Sequence, residues 1–152
     1  GEKKLSPEEI NDAVGDQARF DLYQLIDQAL IGESETTVRI LSQLQEAGTE
    51  PTLLLWSITR EIRQLIQLQS LMTRGETFDN ACNKLFVWKN RQPLYQKALR
   101  RLTQPELTQA LQRASEIDLM IKGLQSGNVW LALNELLLSI AGTTLVTSEE
   151  KC

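Results

Sequence analysis

The chain has 152 residues, a net charge of −4, and 41% apolar and 24% charged residues, which is ordinary for one globular domain that buries a core. It has no histidine and only two cysteines, Cys82 and Cys152, so imidazole acid–base chemistry, a Ser-His-Asp triad and a four-ligand zinc site are excluded. With 26 leucines and 14 glutamines against 8 aromatic residues, the composition is that of helix formers, and the expected class is all-α.

In chain order, Ser6-Pro7-Glu8-Glu9 reads as a helix start, with Ser6 as cap, Pro7 in the first turn and two carboxylates at the positive end of the dipole. That helix is expected to be short, ending at Gly15-Asp16. A second carries Phe20, Leu22, Tyr23, Leu25, Ile26, Ala29 and Leu30 to a stop at Gly32. A third begins near Ser34 and places Val38, Leu41, Leu44 and Ala47 on one face. Pro51 opens a helix that runs to about Arg74, expected to be the longest and the most central, because its apolar band is too wide for one stripe. A short helix and a turn follow over 78–88, then a helix from Pro93. Thr103-Gln104-Pro105-Glu106 repeats the cap-and-proline pattern and leads to Gly123, and the last helix spans Val129 to about Ala141. The expectation is a compact domain of about seven or eight helices, with a frayed tail over 143–152.

The longest unbroken apolar runs, such as Leu53 to Trp56, fall far short of the roughly 20 residues of a membrane span. The chain opens on Gly1-Glu2-Lys3-Lys4 with no initiator methionine and no apolar leader, so it is expected to be a piece of something longer. The glycines are single helix stops, and neither GxxxxGK[ST] nor GxGxxG occurs, so no phosphate-cradling loop is available. No ATP binding, cofactor or metal is expected. The pairs Glu116 with Asp118, and Glu149 with Glu150, read as solvated helix charges. Cysteine usage fits a reduced, cytoplasmic setting.

Charge is segregated. Lys84, Lys89, Arg91, Lys97, Arg100 and Arg101 put +6 on residues 80–105 with no acid among them, leaving −10 on the remainder. Such a block suits an acidic partner surface or phosphates, and reversing Arg91, Lys97, Arg100 and Arg101 is expected to leave the fold intact. Trp56 and Trp130, flanked by aliphatic residues, read as core. Trp88, beside Lys89, Asn90 and Arg91, reads as an interface anchor. Taken alone, these residues describe a helical interaction module without visible catalytic machinery.

Four ordered stretches resemble one family. They are Asp21 to Gly32; Ala47 to Trp56 with Arg60-Glu61-Ile62-Arg63-Gln64-Leu65; Val87-Trp88-Lys89-Asn90-Arg91 through Tyr95, Ala98 and Leu99; and Asp118 to Gly123 followed by Val129-Trp130. Together they are similar to the delta-subunit family of bacterial DNA polymerase III, in its C-terminal collar region. The resemblance implies an all-α collar over residues 19–142, preceded over 1–18 by the end of an AAA+ lid-like domain or a linker. It implies a non-catalytic role in holding a clamp loader together, with the gamma/tau and delta-prime subunits as partners and primed DNA present in the assembled complex. The sliding clamp would be met only through an N-terminal domain outside this sequence, and no membrane is involved. The residues expected at a partner interface or near DNA are Lys84, Trp88, Lys89, Arg91, Lys97, Arg100, Arg101, Lys122 and Gln125. Some relatives place an aromatic in the Gly123–Asn128 loop, where this sequence has Gln125. The alternative is a general helical adaptor, or a small nucleic-acid-binding module that uses the block 84–101 directly.

Overall fold

The computed structural model describes residues 7–142, with side chains from residue 15 onward. These residues form seven helices and no strand: α1 (Pro7–Ile31), α2 (Ser34–Glu46), α3 (Pro51–Thr73), α4 (Phe78–Lys84), α5 (Gln92–Arg101), α6 (Gln104–Ile121) and α7 (Val129–Ala141). The all-α class is as expected. Ser6, Glu149, Glu150 and Cys152 lie outside the described residues, as does the expected tail over 143–152.

α3 is central. It packs against α1, α4, α5, α6 and α7, and its Leu54, Ile58, Ile62, Leu65 and Leu68 are fully buried. α1 lies against α2, α5 and α7, and α7 closes the core against α2 and α6. Each aliphatic side chain sealed in this way contributes about 1.5–3 kcal/mol. The helix starts follow local chemistry. Thr103 and Glu106 form a reciprocal capping box, with Glu106 N–H donating to Thr103 Oγ1 at 3.3 Å and Thr103 N–H to Glu106 Oε1 at 3.0 Å. Asn128 Oδ1 accepts the Leu131 N–H at 3.1 Å and starts α7 where the sequence places it.

Four expectations need correction. α1 does not stop at Gly15 but runs through it, so at 25 residues it is longer than the 23-residue α3. A glycine inside a helix costs only about 1 kcal/mol against alanine. It ends a helix where it takes a positive φ, as Gly32 does and Gly15 does not. On α2 the buried stripe is Thr37, Ile40, Leu41 and Leu44, while Val38 and Ala47 are exposed. Steps of three rotate about 300°, so the stripe 38, 41, 44, 47 drifts off one face by half a turn. Phe20 and Tyr23 likewise flank the inward face of α1, which is Leu22, Leu25, Ile26, Ala29 and Leu30. Trp56 is not core but 68% exposed, because it sits two residues, roughly 200° of helix, from both Leu54 and Ile58. Trp130 is half-buried against the core as expected.

Candidate partner-binding surface

The basic block does not form one patch. Lys84 pairs with Glu76. Arg91 Nη1 lies 3.0 Å from Asp27 Oδ1, an ion-pair contact rather than an aligned hydrogen bond, and Nη2 lies 3.8 Å from Glu61. Its guanidinium carbon also sits 5.7 Å from the Tyr95 ring centre. The Tyr95 hydroxyl donates to Glu61, and burial together with that carboxylate pushes the phenol far above its ordinary range. Arg91 therefore ties the loop before α5 to α1 and α3.

Arg101 is more deeply committed. Its Nη2 donates to Leu30 O at 2.8 Å, Ile140 O at 3.1 Å and Ala29 O at 3.2 Å, and its Nη1 to Lys97 O at 3.2 Å. Those carbonyls belong to the last turns of α1 and α7, where no further helical N–H is available to them. One cation thus closes the negative ends of two helices. Both helices stop at a positive-φ glycine that leaves room for the side chain. A Cβ on Gly32 would stand 3.1 Å from Arg101 Nη1, and one on Gly142 3.2 Å from its Cδ. Arg101 is a fold element, which corrects the expectation that its charge can be reversed with the fold intact.

Lys89, Lys97 and Arg100 are exposed and form no ion pair among the described residues. Lys122 pairs with Asp118 at 2.7 Å on α6, and Glu116 pairs with Arg113 at 2.5 Å. Gln125 is exposed in the loop between α6 and α7. Trp88 is 75% exposed, as an anchor must be before it is covered.

Residues that sequence reasoning did not select gather beside Trp88. Trp56, Arg60 and Arg63 share the outer face of α3 at i, i+4 and i+7. A hollow of about 330 Å³ lies along them, and a second of about 480 Å³ is lined by Tyr23, Phe86, Trp88 and Arg91. Arg60 and Gln64 line both hollows, so the surface is continuous. The heptad-like spacing of Trp56, Arg60 and Arg63 was the available signal, hidden by the leucines around it. Another groove, of about 430 Å³, separates α6 from α7, with Arg113 bridging Glu116 and Glu135 at its rim. Among the described residues no group of three His, Cys, Asp or Glu side chains is placed to hold a metal ion. Cys82 is a buried free thiol, pushed up by burial and by Asp79. What the exterior offers is recognition chemistry: exposed aromatics, arginines and lysines on a rigid helical body.

Residues 22–147 match the family described as "Processivity clamp loader gamma complex DNA pol III C-term". The chain belongs to that family. It is 33% identical over 133 residues to the DNA polymerase III subunit delta of Escherichia coli (strain K12), covering 88% of this chain and 38% of that protein. It is 30% identical over 145 residues to the DNA polymerase III subunit delta of Haemophilus influenzae, covering 90% of this chain and 42% of that one. The chain therefore spans about two fifths of the length of these curated relatives. The matched segment takes in α2 through α7 and most of α1. No helix among the described residues is long and apolar enough to cross a membrane.

Proposed function

We propose that this chain is the non-catalytic assembly module, the collar, of a clamp-loader delta subunit that helps place the sliding clamp on primed DNA in replication. The observation that carries the proposal is the family match over residues 22–147, which covers nearly the whole helical body. The chemistry supports it. The charged groups of the interior are committed to fastening helices, and the exterior keeps aromatic and cationic side chains of the kind enriched at protein interfaces. In this reading residues 19–142 form the collar, residues 1–18 lead in from a preceding AAA+ lid-like domain or linker, and the setting is the cytoplasm. The partners are the gamma/tau and delta-prime subunits. The sliding clamp is met by a segment outside this sequence, and primed DNA is met only within the assembled complex. Of the basic block, Lys89, Lys97 and Arg100 together with Trp88 are the side chains free to serve the interface, while Lys122 and Gln125 take the position nearest DNA.

The test is reconstitution with purified gamma/tau and delta-prime, followed by size-exclusion chromatography. Stoichiometric co-elution is expected, and it weakens when Lys89, Lys97 and Arg100 are reversed to glutamate. Each of those exposed charges should move stability by no more than about 0.5 kcal/mol. Failure of the parent chain to co-elute overturns the collar role, and unaltered assembly of the reversed variant removes these three residues from the interface.

A further inference from the structure

Helices α1, α2, α3, α6 and α7 end the same way, on a glycine with positive φ: Gly32, Gly48, Gly75, Gly123 and Gly142. At the end of α3 the Gly75 N–H reaches back to Met72 O at 3.0 Å and the Glu76 N–H to Leu71 O at 3.0 Å, the Schellman arrangement. α4 ends with the same pair of bonds, Phe86 N–H to Asn83 O at 3.3 Å and Val87 N–H to Cys82 O at 2.9 Å. The residue in the glycine position is here Phe86, at φ 56°, the one non-glycine residue with positive φ among those described. A side chain there is strained, and nothing in the fold compensates. Val87 turns in toward the core, whereas the Phe86 ring is 87% exposed. Stability alone favours glycine at this position, so the exposed ring points to binding.

The ring has suitable company. Trp88 lies two residues on, and Tyr23, 64% exposed, lines the same hollow, which continues past Arg60 and Gln64 to Trp56 and Arg63. The acid in this surface, Glu61, is engaged by Tyr95 and Arg91, whereas Arg60, Arg63 and Lys89 form no ion pair among the described residues. On a chain of net charge −4, this face carries uncompensated positive charge. The aromatic rings are not fused into one apolar patch but alternate with arginine and glutamine. Separate exposed π faces set among cations are the requirements for holding unpaired bases and the phosphates between them.

We propose that the face formed by Tyr23, Phe86 and Trp88 with Trp56, Arg60 and Arg63 binds single-stranded nucleic acid by base stacking. The arginines track the backbone phosphates and the rings take the bases, without sequence preference. Duplex DNA, whose bases are already stacked on each other, offers this face only phosphates.

The 152-residue chain is titrated at about 50 mM salt into a fluorescein-labelled 20-nucleotide oligo(dT) and into a duplex of the same length. Saturable binding of oligo(dT) is expected, at least fivefold tighter than the duplex, with quenching of tryptophan emission. Phe86→Gly and Trp88→Ala each weaken oligo(dT) binding by about tenfold. Phe86→Gly nevertheless melts no lower than the parent, which separates a binding role from a structural one. Replacing both Arg60 and Arg63 by alanine reduces the log–log salt slope by about 1.4. Absence of oligo(dT) binding, equal binding of duplex, or unchanged binding by both aromatic variants overturns the proposal. If the aromatic variants lose co-elution with the loader subunits while oligo(dT) binding is absent, the face is a protein contact and the proposal falls.

Discussion

Replacing Arg101 with alanine leaves the last carbonyls of α1 and α7 without their donor. Nη2 has two protons for three acceptors, Leu30, Ile140 and Ala29, so no more than two of those bonds are at full strength. Hydrogen bonds to a charged group contribute about 1.5–3 kcal/mol each, and the partial exposure of this side chain lets water recover roughly half after its removal. The loss of a cation from two helix C-termini adds about 0.3–1 kcal/mol per helix. The expected destabilisation is about 2–4 kcal/mol, or roughly 5–15 °C in melting temperature for a domain of this size. Arg101→Lys recovers only part, because a lysine keeps the charge but not the planar fork that spans both helix ends. Arg101→Glu is worse than alanine, since it sets a carboxylate against carbonyls. Thermal melts followed by circular dichroism measure all three, with Arg100→Ala as the exposed neighbour. If Arg101→Ala melts within about 2 °C of Arg100→Ala, the helix-closing role is wrong.

Gly142→Ala should lower stability by more than about 1 kcal/mol, measured by urea unfolding, because alanine is strained at φ 95° and its Cβ would meet Arg101. The same change at Gly15, inside α1 with open space around it, should stabilise by up to about 1 kcal/mol. The Tyr95 phenol has its folded pKa raised above the ordinary value of 10.0, so it adds stability that is complete below pH 10 and is lost as pH rises beyond it. Ultraviolet titration should accordingly show one of the two tyrosines resisting ionisation until the chain unfolds. Leu65→Ala, at a fully buried position on α3, should cost about 2–5 kcal/mol, whereas Leu53→Ala on the exposed side should cost far less; a similar loss at both would contradict the orientation of the helix.

Local chemistry determined much of this protein. The caps at Thr103 and Asn128, the stops at Gly32, Gly48, Gly75 and Gly123, and the all-α class follow from residues acting within one or two turns of themselves, so reading the chain is enough to find them. The family resemblance was legible for the same reason: its motifs are contiguous stretches. The absence of histidine and of a glycine-rich phosphate loop settled the chemistry that the described helices do not carry.

Direction was not legible. Which side of α3 faces inward depends on where α1, α6 and α7 arrive, and only that arrangement sends Trp56 outward beside Arg60 and Arg63 while Ile58 and Ile62 are sealed. The six cations of residues 80–105 are equivalent in sequence. In the fold, Arg101 closes helices whose ends lie about 70 residues earlier and 40 later, Arg91 holds α1 and α3, and Lys89, Lys97 and Arg100 stay in solvent. A charge becomes a clamp or a surface according to the groups that distant segments place against it. Those placements are products of packing many apolar faces at once, which no single stretch of the chain contains.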